Sequence, residues 1–195
     1  MYVLFRIFAV AMKRIIQLTI LLLGGWLQAQ EVQLQPGDLL FYADTEGMGA
    51  AVKESTGKYT HVALVVAVNN TVWIVDATPE HGVAQRPEDG VTPFDVYRLT
   101  VPFDTAAVLA RAHALIGKPY DDAFMPDNDA YYCSELIQAV FGDLFPSQPM
   151  NWRDKDGNLP EYWQKHFDKL GIPVPEGVPG TNPTDLSRSP LLQKQ

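Results

Sequence analysis

A mixed α+β domain built on an antiparallel sheet is the fold class this sequence predicts. Three observations predict it: β-branched, strand-like runs occupy the first half, helical periodicity occupies the second, and no internal repeat is present. In "LQPGDLLFY" a Pro-Gly-Asp turn precedes the apolar run Leu39–Tyr42, so the first strand is expected there. "EGMGAAVKESTG" reads as a short helix or irregular loop ending at Gly57. "THVALVVAVNNTVWIVDATP" holds two β-branched runs separated by Asn69-Asn70, and asparagine tolerates positive φ, so a two-residue hairpin turn is expected. Two weaker strands follow, near Val83–Arg86 and Phe94–Leu99.

The helices come later. Asp104 can cap a helix whose Val108, Leu109, Ala112, Leu115 and Ile116 share a face, with Gly117 and Pro119 as its stop. A second helix carries Cys133, with Leu136, Ile137, Val140 and Phe141 on one stripe and Gly142 as its stop; the sheet is expected to pack against it. A third begins near Pro160, with Trp163, Phe167 and Leu170 on one side and Gly171 at its end. The remaining residues, 172–195, are rich in Pro and Gly and are expected to form no regular element, although "PLL" near the end suggests docking onto the body.

Residues 1–29 read as a cleavable secretory signal: Arg6, Lys13 and Arg14 precede the uncharged run Ile15–Trp26, and Ala29 is a plausible cleavage site. Met12 offers a second start, which would leave residues 1–11 as an upstream extension. The apolar run falls short of the ~20 residues that span a bilayer, so a lasting transmembrane anchor is the weaker reading. A secreted or periplasmic protein is expected, with residues 30–171 as one domain. The formal charge of −8 becomes −11 once the leader's three basic residues are removed, and no basic stripe offsets it, which sets nucleic-acid binding aside.

Cys133 is the single cysteine of a chain expected in an oxidising compartment, where an internal disulfide is impossible for it. Inert burial is as good a reading as catalysis until its surroundings are considered. A two-residue turn at Asn69-Asn70 pairs Val68 with Thr71, Ala63 with Asp76 and His61 with Thr78. His61 and Asp76 then share a face as diagonal neighbours, about 7–8 Å apart by backbone spacing. Taken alone, this pair fits equally a buried couple that satisfies itself at the sheet's end.

The same face carries Ala63, Val65, Val72 and Ile74, so it needs cover, and the Cys133 stripe is expected to supply it. A thiol in a first helical turn, near free N–H groups and an imidazole, is favoured as thiolate. The roles that follow are Cys133 as nucleophile, His61 as base and then acid, and Asp76 as the group orienting the imidazole. The Cys133 N–H is a candidate oxyanion donor.

"PGDLLF", "THVALVV", "VWIVDA", "GKPYD" and "YCSELI", in this order from about Leu34 to Leu170, resemble the circularly permuted papain-like amidases of the YaeF/YiiX type, relatives of the NlpC-type cell-wall peptidases. His61 precedes Cys133 by 72 positions, the reverse of ordinary papain-like order and the order of the permuted group. The resemblance implies a permuted papain-like fold, Cys133 as nucleophile and His61 as base. Relatives vary at the position of Asp76. Tyr120 lies where related enzymes often place a tyrosine near the cysteine, so Tyr120 and Tyr132 are candidate substrate-binding residues. A buried ring with a satisfied hydroxyl is the competing reading of Tyr120.

Glu135 reads as a first-turn charge or a buried structural partner. His113 and His166 read as structural and His81 as the rival base. "DDAFMPDND" and "DKDGN" lack the spacing of a helix-loop-helix calcium site and read as solvated turns. No metal or cofactor is expected. The function expected is hydrolysis of an amide through a thioester in a peptidoglycan peptide, with an acyl-lipid amidase or acyltransferase using the same triad on an acyl-amide as the alternative within that chemistry. A non-catalytic envelope binder is the alternative of a different class.

Overall fold

The computed structural model describes residues 32–195, so the expected leader falls outside the described residues. The elements are β1 (Leu39–Tyr42), α1 (Gly47–Thr56), β2 (His61–Val68), β3 (Val72–Thr78), β4 (Gly82–Pro87), β5 (Phe94–Leu99), α2 (Thr105–Leu115), α3 (Cys133–Phe141), β6 (Gln148–Pro149), α4 (Glu161–Leu170), β7 (Pro179–Gly180), α5 (Pro183–Ser187) and β8 (Leu192–Lys194). Six strands form one sheet in the order β4-β3-β2-β1-β5-β8, with every pairing antiparallel. The antiparallel sheet with its separate helices is the α+β domain expected, although α1 falls between β1 and β2 and β6, β7 and β8 follow α3. No helix among the described residues is long and apolar enough to cross a membrane.

The β2–β3 hairpin departs from expectation at its turn and returns to it at its site. Val68 pairs with Val72, leaving a three-residue loop, and neither Asn69 nor Asn70 has positive φ. The Asn69 carboxamide closes this loop instead by accepting from the Thr71 N–H at 3.0 Å. A bulge between Val65 and Ala67 then absorbs the extra residue, so that Leu64 pairs with Val75. Continued by one residue, that register sets Ala63 against Asp76, as the shorter turn also would. Two offsetting departures thus leave His61 and Asp76 on one face.

The cysteine helix covers the other face of the sheet. Cys133, Leu136, Ile137 and Val140 form the expected stripe, but they pack with Val62, Leu64, Val75 and Ala77. Leu40, Tyr42, Ala63, Val65, Ile74 and Val96 form a separate cluster on the opposite face. Strand alternation requires this: Val62 and Leu64 cannot share a face with Ala63 and Val65. The expectation that α3 covers the His61 face is corrected accordingly. His61 is the first residue of β2, and its ring meets Cys133 at the end of the sheet.

A third cluster is aromatic. Phe124 sits at its centre, with ring centroids 5.1 Å from Tyr132, 5.0 Å from Trp152 and 5.6 Å from Trp163. Phe124 has φ of 54°, a costly conformation for a bulky side chain. It is held there because the Asp121 carboxylate accepts from the Ala123 and Met125 N–H groups at 3.0 and 2.7 Å. "DDAFMPDND" is thus an internally bonded loop that presents Tyr120 and Phe124 to one side of α3. In α4 only Trp163 and Phe167 are buried, while Leu170 is 40% exposed, at the edge of the stripe.

Residues 172–195, expected to lack regular elements, form β7, α5 and β8. Backbone bonds explain how a Pro-rich segment manages this, since the Met150 N–H reaches the Val178 carbonyl at 2.9 Å and the Gln195 N–H reaches the Val96 carbonyl at 2.9 Å. The Thr184 hydroxyl accepts from the Tyr59 N–H at 2.9 Å and donates to the Tyr59 carbonyl at 3.1 Å. Asn182 caps α5 by accepting from the Asp185 N–H at 2.8 Å. The tail supplies an edge strand and, through Thr181–Pro183, one wall of a cleft.

Candidate active site

Four elements converge on one polar cluster. His61 opens β2, Asp76 lies in β3, Arg86 lies in β4 opposite Ile74, and Cys133 opens α3. His61 Nε2 lies 2.8 Å from Asp76 Oδ2. A carboxylate only accepts, so Nε2 carries a proton and Nδ1 is the nitrogen left free for the nearby Cys133 thiol. Asp76 is fully buried, Cys133 is 7% exposed, and the His61 side chain is 23% exposed.

A buried carboxylate needs compensation. Arg86 provides it, donating from Nη2 to Asp76 Oδ2 at 2.6 Å and from Nε to Oδ1 at 3.2 Å. Burial opposes ionisation of Asp76, but the bonds and charges of His61 and Arg86 win, holding its carboxyl below the usual range. For His61, burial pulls the pKa down. The hydrogen bonds to Asp76 and Cys133 and the negative charges on both outweigh it, raising the pKa from 6.5 to about 10. The ring is built to carry a proton beside sulfur.

The cluster opens into a cleft of about 530 Å³, lined by residues that include Tyr120, Ser134, Met150 and Thr181. Cys133 and His61 can therefore reach a carbonyl bound there, with first-turn N–H groups of α3 beside it. Tyr120 lines the same cleft, its hydroxyl donating to the Met48 sulfur at 3.6 Å. Burial and the charge of Cys133 push its phenol well above 10, so it stays a donor. Tyr132 also lines the cleft, but its hydroxyl accepts from the Thr181 N–H at 3.0 Å, which commits it to anchoring the tail.

A model of the permuted papain-like amidase enzymes of the YaeF/YiiX type, the C92 family, matches residues 33–194. The chain belongs to this family. A relative, the uncharacterized protein YiiX of Escherichia coli strain K12, is 24% identical over 180 residues, covering 82% of this chain and 85% of that protein. The crystal structure of the metalloprotein yiiX from Escherichia coli O157:H7 superposes with a TM-score of 0.69 at 22% identity, covering 84% of this chain and 97% of that one. That likeness establishes the permuted papain-like fold.

In this C92 chain no group of three or more His, Cys, Asp and Glu side chains among the described residues is placed to hold a metal ion. The cation beside Asp76 is Arg86, which engages both carboxylate oxygens. The other histidines lie elsewhere: His166 bonds the Asp122 carbonyl at 2.7 Å, His113 bonds Gln85 at 3.2 Å, and His81 is exposed. In "DKDGN", the Asp154 carboxylate accepts from the Asp156 and Asn158 N–H groups, closing a turn.

Two residues at the site were passed over in the sequence. Arg86 sits in a strand that was expected, and pairing that strand with β3 puts it diagonal to Asp76, so the register carried the signal. Ser134 is fully buried, its hydroxyl has no partner, and it lines the cleft beside Cys133. No pattern in "YCSEL" marks that hydroxyl as unbonded.

Glu135 closes the first turn of α3, its carboxylate accepting from the Tyr132 N–H at 3.3 Å. Burial and the nearby charge of Asp121 raise its pKa from 4.5 to about 8. Between those values the folded state binds a proton that the unfolded state has lost, so this group lowers stability as pH rises through that window. Glu135→Gln is therefore expected to raise the thermal midpoint at pH 8 and to change it little at pH 4.5. Calorimetry at both pH values measures it, and equal shifts at both would contradict the assignment.

Proposed function

We propose that this chain is a cysteine amidase that works beyond the inner membrane and cleaves an amide through a thioester, with Cys133, His61 and Asp76 in the catalytic roles. The observation that carries the reading is the seam itself: a buried Asp76 bonded to Nε2 of His61, a helix-opening Cys133 interacting with the same ring, and a cleft lined by both His61 and Cys133. The Cys133 sulfur attacks the carbonyl carbon, and the oxyanion takes hydrogen bonds from the Cys133 N–H and the Ser134 hydroxyl. The C–N bond breaks as the His61 imidazolium gives its proton to the leaving nitrogen. Neutral His61 then takes a proton from water as that water attacks the thioester, releasing the acid and the thiolate. Tyr120 donates to the bound substrate, and Arg86 holds Asp76 in place.

Cell-wall peptides are the substrate favoured by an exported location, the reading of residues 1–29. Acyl-amides are the second reading, favoured by the apolar side chains of Met48, Val52, Phe124 and Met150 in the cleft lining. Incubating the protein and Cys133→Ala with digested cell wall and with acyl-amide lipids, followed by mass spectrometry, tests both. Products from either pool that vanish in the variant support the mechanism; products that persist contradict it. A non-catalytic binder would give products from neither.

A further inference from the structure

The tail that walls one side of the cleft also grips both halves of the Cys133–His61 seam. The Tyr132 hydroxyl accepts from the Thr181 N–H at 3.0 Å, and Tyr132 is the residue before Cys133. Packing there is tight, since a Cβ added at Gly180 would lie 2.8 Å from that hydroxyl. A few residues on, Thr184 holds Tyr59, which stands just ahead of His61: its hydroxyl accepts from the Tyr59 N–H at 2.9 Å and donates to the Tyr59 carbonyl at 3.1 Å. Tyr132 and Thr184 are both buried, so water does not compete for these bonds. The link between the two grips is stiff, because Asn182 caps α5 and Pro183 opens it with its φ fixed. From Tyr59 onward the chain has little slack, as the Thr60 N–H bonds the Tyr42 carbonyl at 2.9 Å and Tyr42 pairs with His61.

We infer that residues 181–184 form a clasp that sets the approach of Cys133 to His61, with Thr184 and Tyr132 as its positioning residues. The clasp rests on the Cys133–His61 pairing that the amidase reading uses, and adds what keeps that pairing in register. Leu136, Ile137 and Val140 fix α3 on the sheet, but apolar contacts have no direction, so the exact seat of the first turn is left to hydrogen bonds. That seat matters, since a misplacement of about 1 Å at reacting groups can cost about 10²-fold in rate. The clasp brings no charge to the ring. The titratable groups that face His61 are Asp76 from β3, Cys133 from α3 and Tyr42 from β1, with Arg86 and Glu88 behind them. A change at the clasp that moves the titration of the ring therefore acts through position.

The test follows the His61 ring by NMR titration in the parent protein, in Thr184→Val, which keeps the side-chain shape and loses both bonds, and in Thr184→Ser, which keeps the hydroxyl. Cys133→Ala sets the scale, because its ring has no sulfur beside it. Thr184→Val is expected to move the midpoint toward that of Cys133→Ala by about half the difference or more, and Thr184→Ser to hold the parent value. In the double variant Cys133→Ala/Thr184→Val the midpoint is expected to equal that of Cys133→Ala, since the clasp acts through the sulfur. Should Thr184→Val fail to fold, Tyr132→Phe, which releases the Thr181 N–H, reads the same coupling. A parent midpoint kept by the variants that fold, a shift that Thr184→Ser shares, or one as large without the sulfur overturns the clasp. A parent ring that titrates as it does in Cys133→Ala removes the clasp and the amidase together. A shift in Thr184→Val from a parent that hydrolyses no amide retains the clasp and removes the amidase, while hydrolysis with an unmoved midpoint does the reverse.

Discussion

Cys133→Ala is expected to abolish amide hydrolysis, lowering the turnover rate by about 10⁴-fold or more, because the remaining groups can orient a substrate but cannot form the thioester. The fold should survive. Cys133 is one small side chain in a cluster held by Leu136, Ile137 and Val140, and its loss should cost about 1 kcal/mol. Progress curves for both proteins on one amide, with calorimetry to confirm folding, measure this. Hydrolysis persisting in a folded Cys133→Ala protein would remove the nucleophile from the mechanism.

Asp76→Ala is expected to be the most destabilising single change at the site. The carboxylate is fully buried between His61 and Arg86, and its removal leaves the Arg86 guanidinium without the partner that holds it in place. Breaking such pairs costs about 3–5 kcal/mol when both partners are buried. The Arg86 side chain is 31% exposed, so the lower end, about 3 kcal/mol, is expected. For a domain of this size that is a fall of roughly 6–12 °C in the thermal midpoint. The double variant Asp76→Ala/Arg86→Met should recover part of the loss, since it leaves no unpaired charge. Asp76→Asn should keep most of the stability and lose about 10²–10⁴-fold in hydrolysis, because a carboxamide neither fixes the tautomer nor favours the imidazolium. A single Asp76→Ala variant as stable as the parent protein would show that the pair carries no structural load.

What could be read from the sequence followed from the two backbone periodicities. Period two in "HVALVV" and "VWIVDA" placed the strands, and period 3.6 in "CSELIQAVF" placed Cys133 on a packed stripe at a helix start. The juxtaposition of His61 and Asp76 was legible because side-chain face depends only on parity, and the bulge restored the parity that the longer turn had shifted. Which face the helix covers was not legible, since Val62 and Leu64 are as apolar as Ala63 and Val65. Arg86 was missed for a different reason: its role depends on a third strand's register, and charged residues on an edge strand ordinarily face solvent. The Pro-rich tail was misread because its order comes from partners distant in sequence, such as Tyr59 with Thr184 and Tyr132 with Thr181, which no local composition records.

The most direct measurement is an NMR titration of the His61 ring, assigned by comparison with His61→Ala among the four histidines of the chain. The structure predicts a ring that keeps its proton to about pH 10 and titrates lower in Cys133→Ala, where the sulfur that supports the charge is gone. A His61 that titrates near the ordinary imidazole value of about 6.5, with no change in Cys133→Ala, would contradict it.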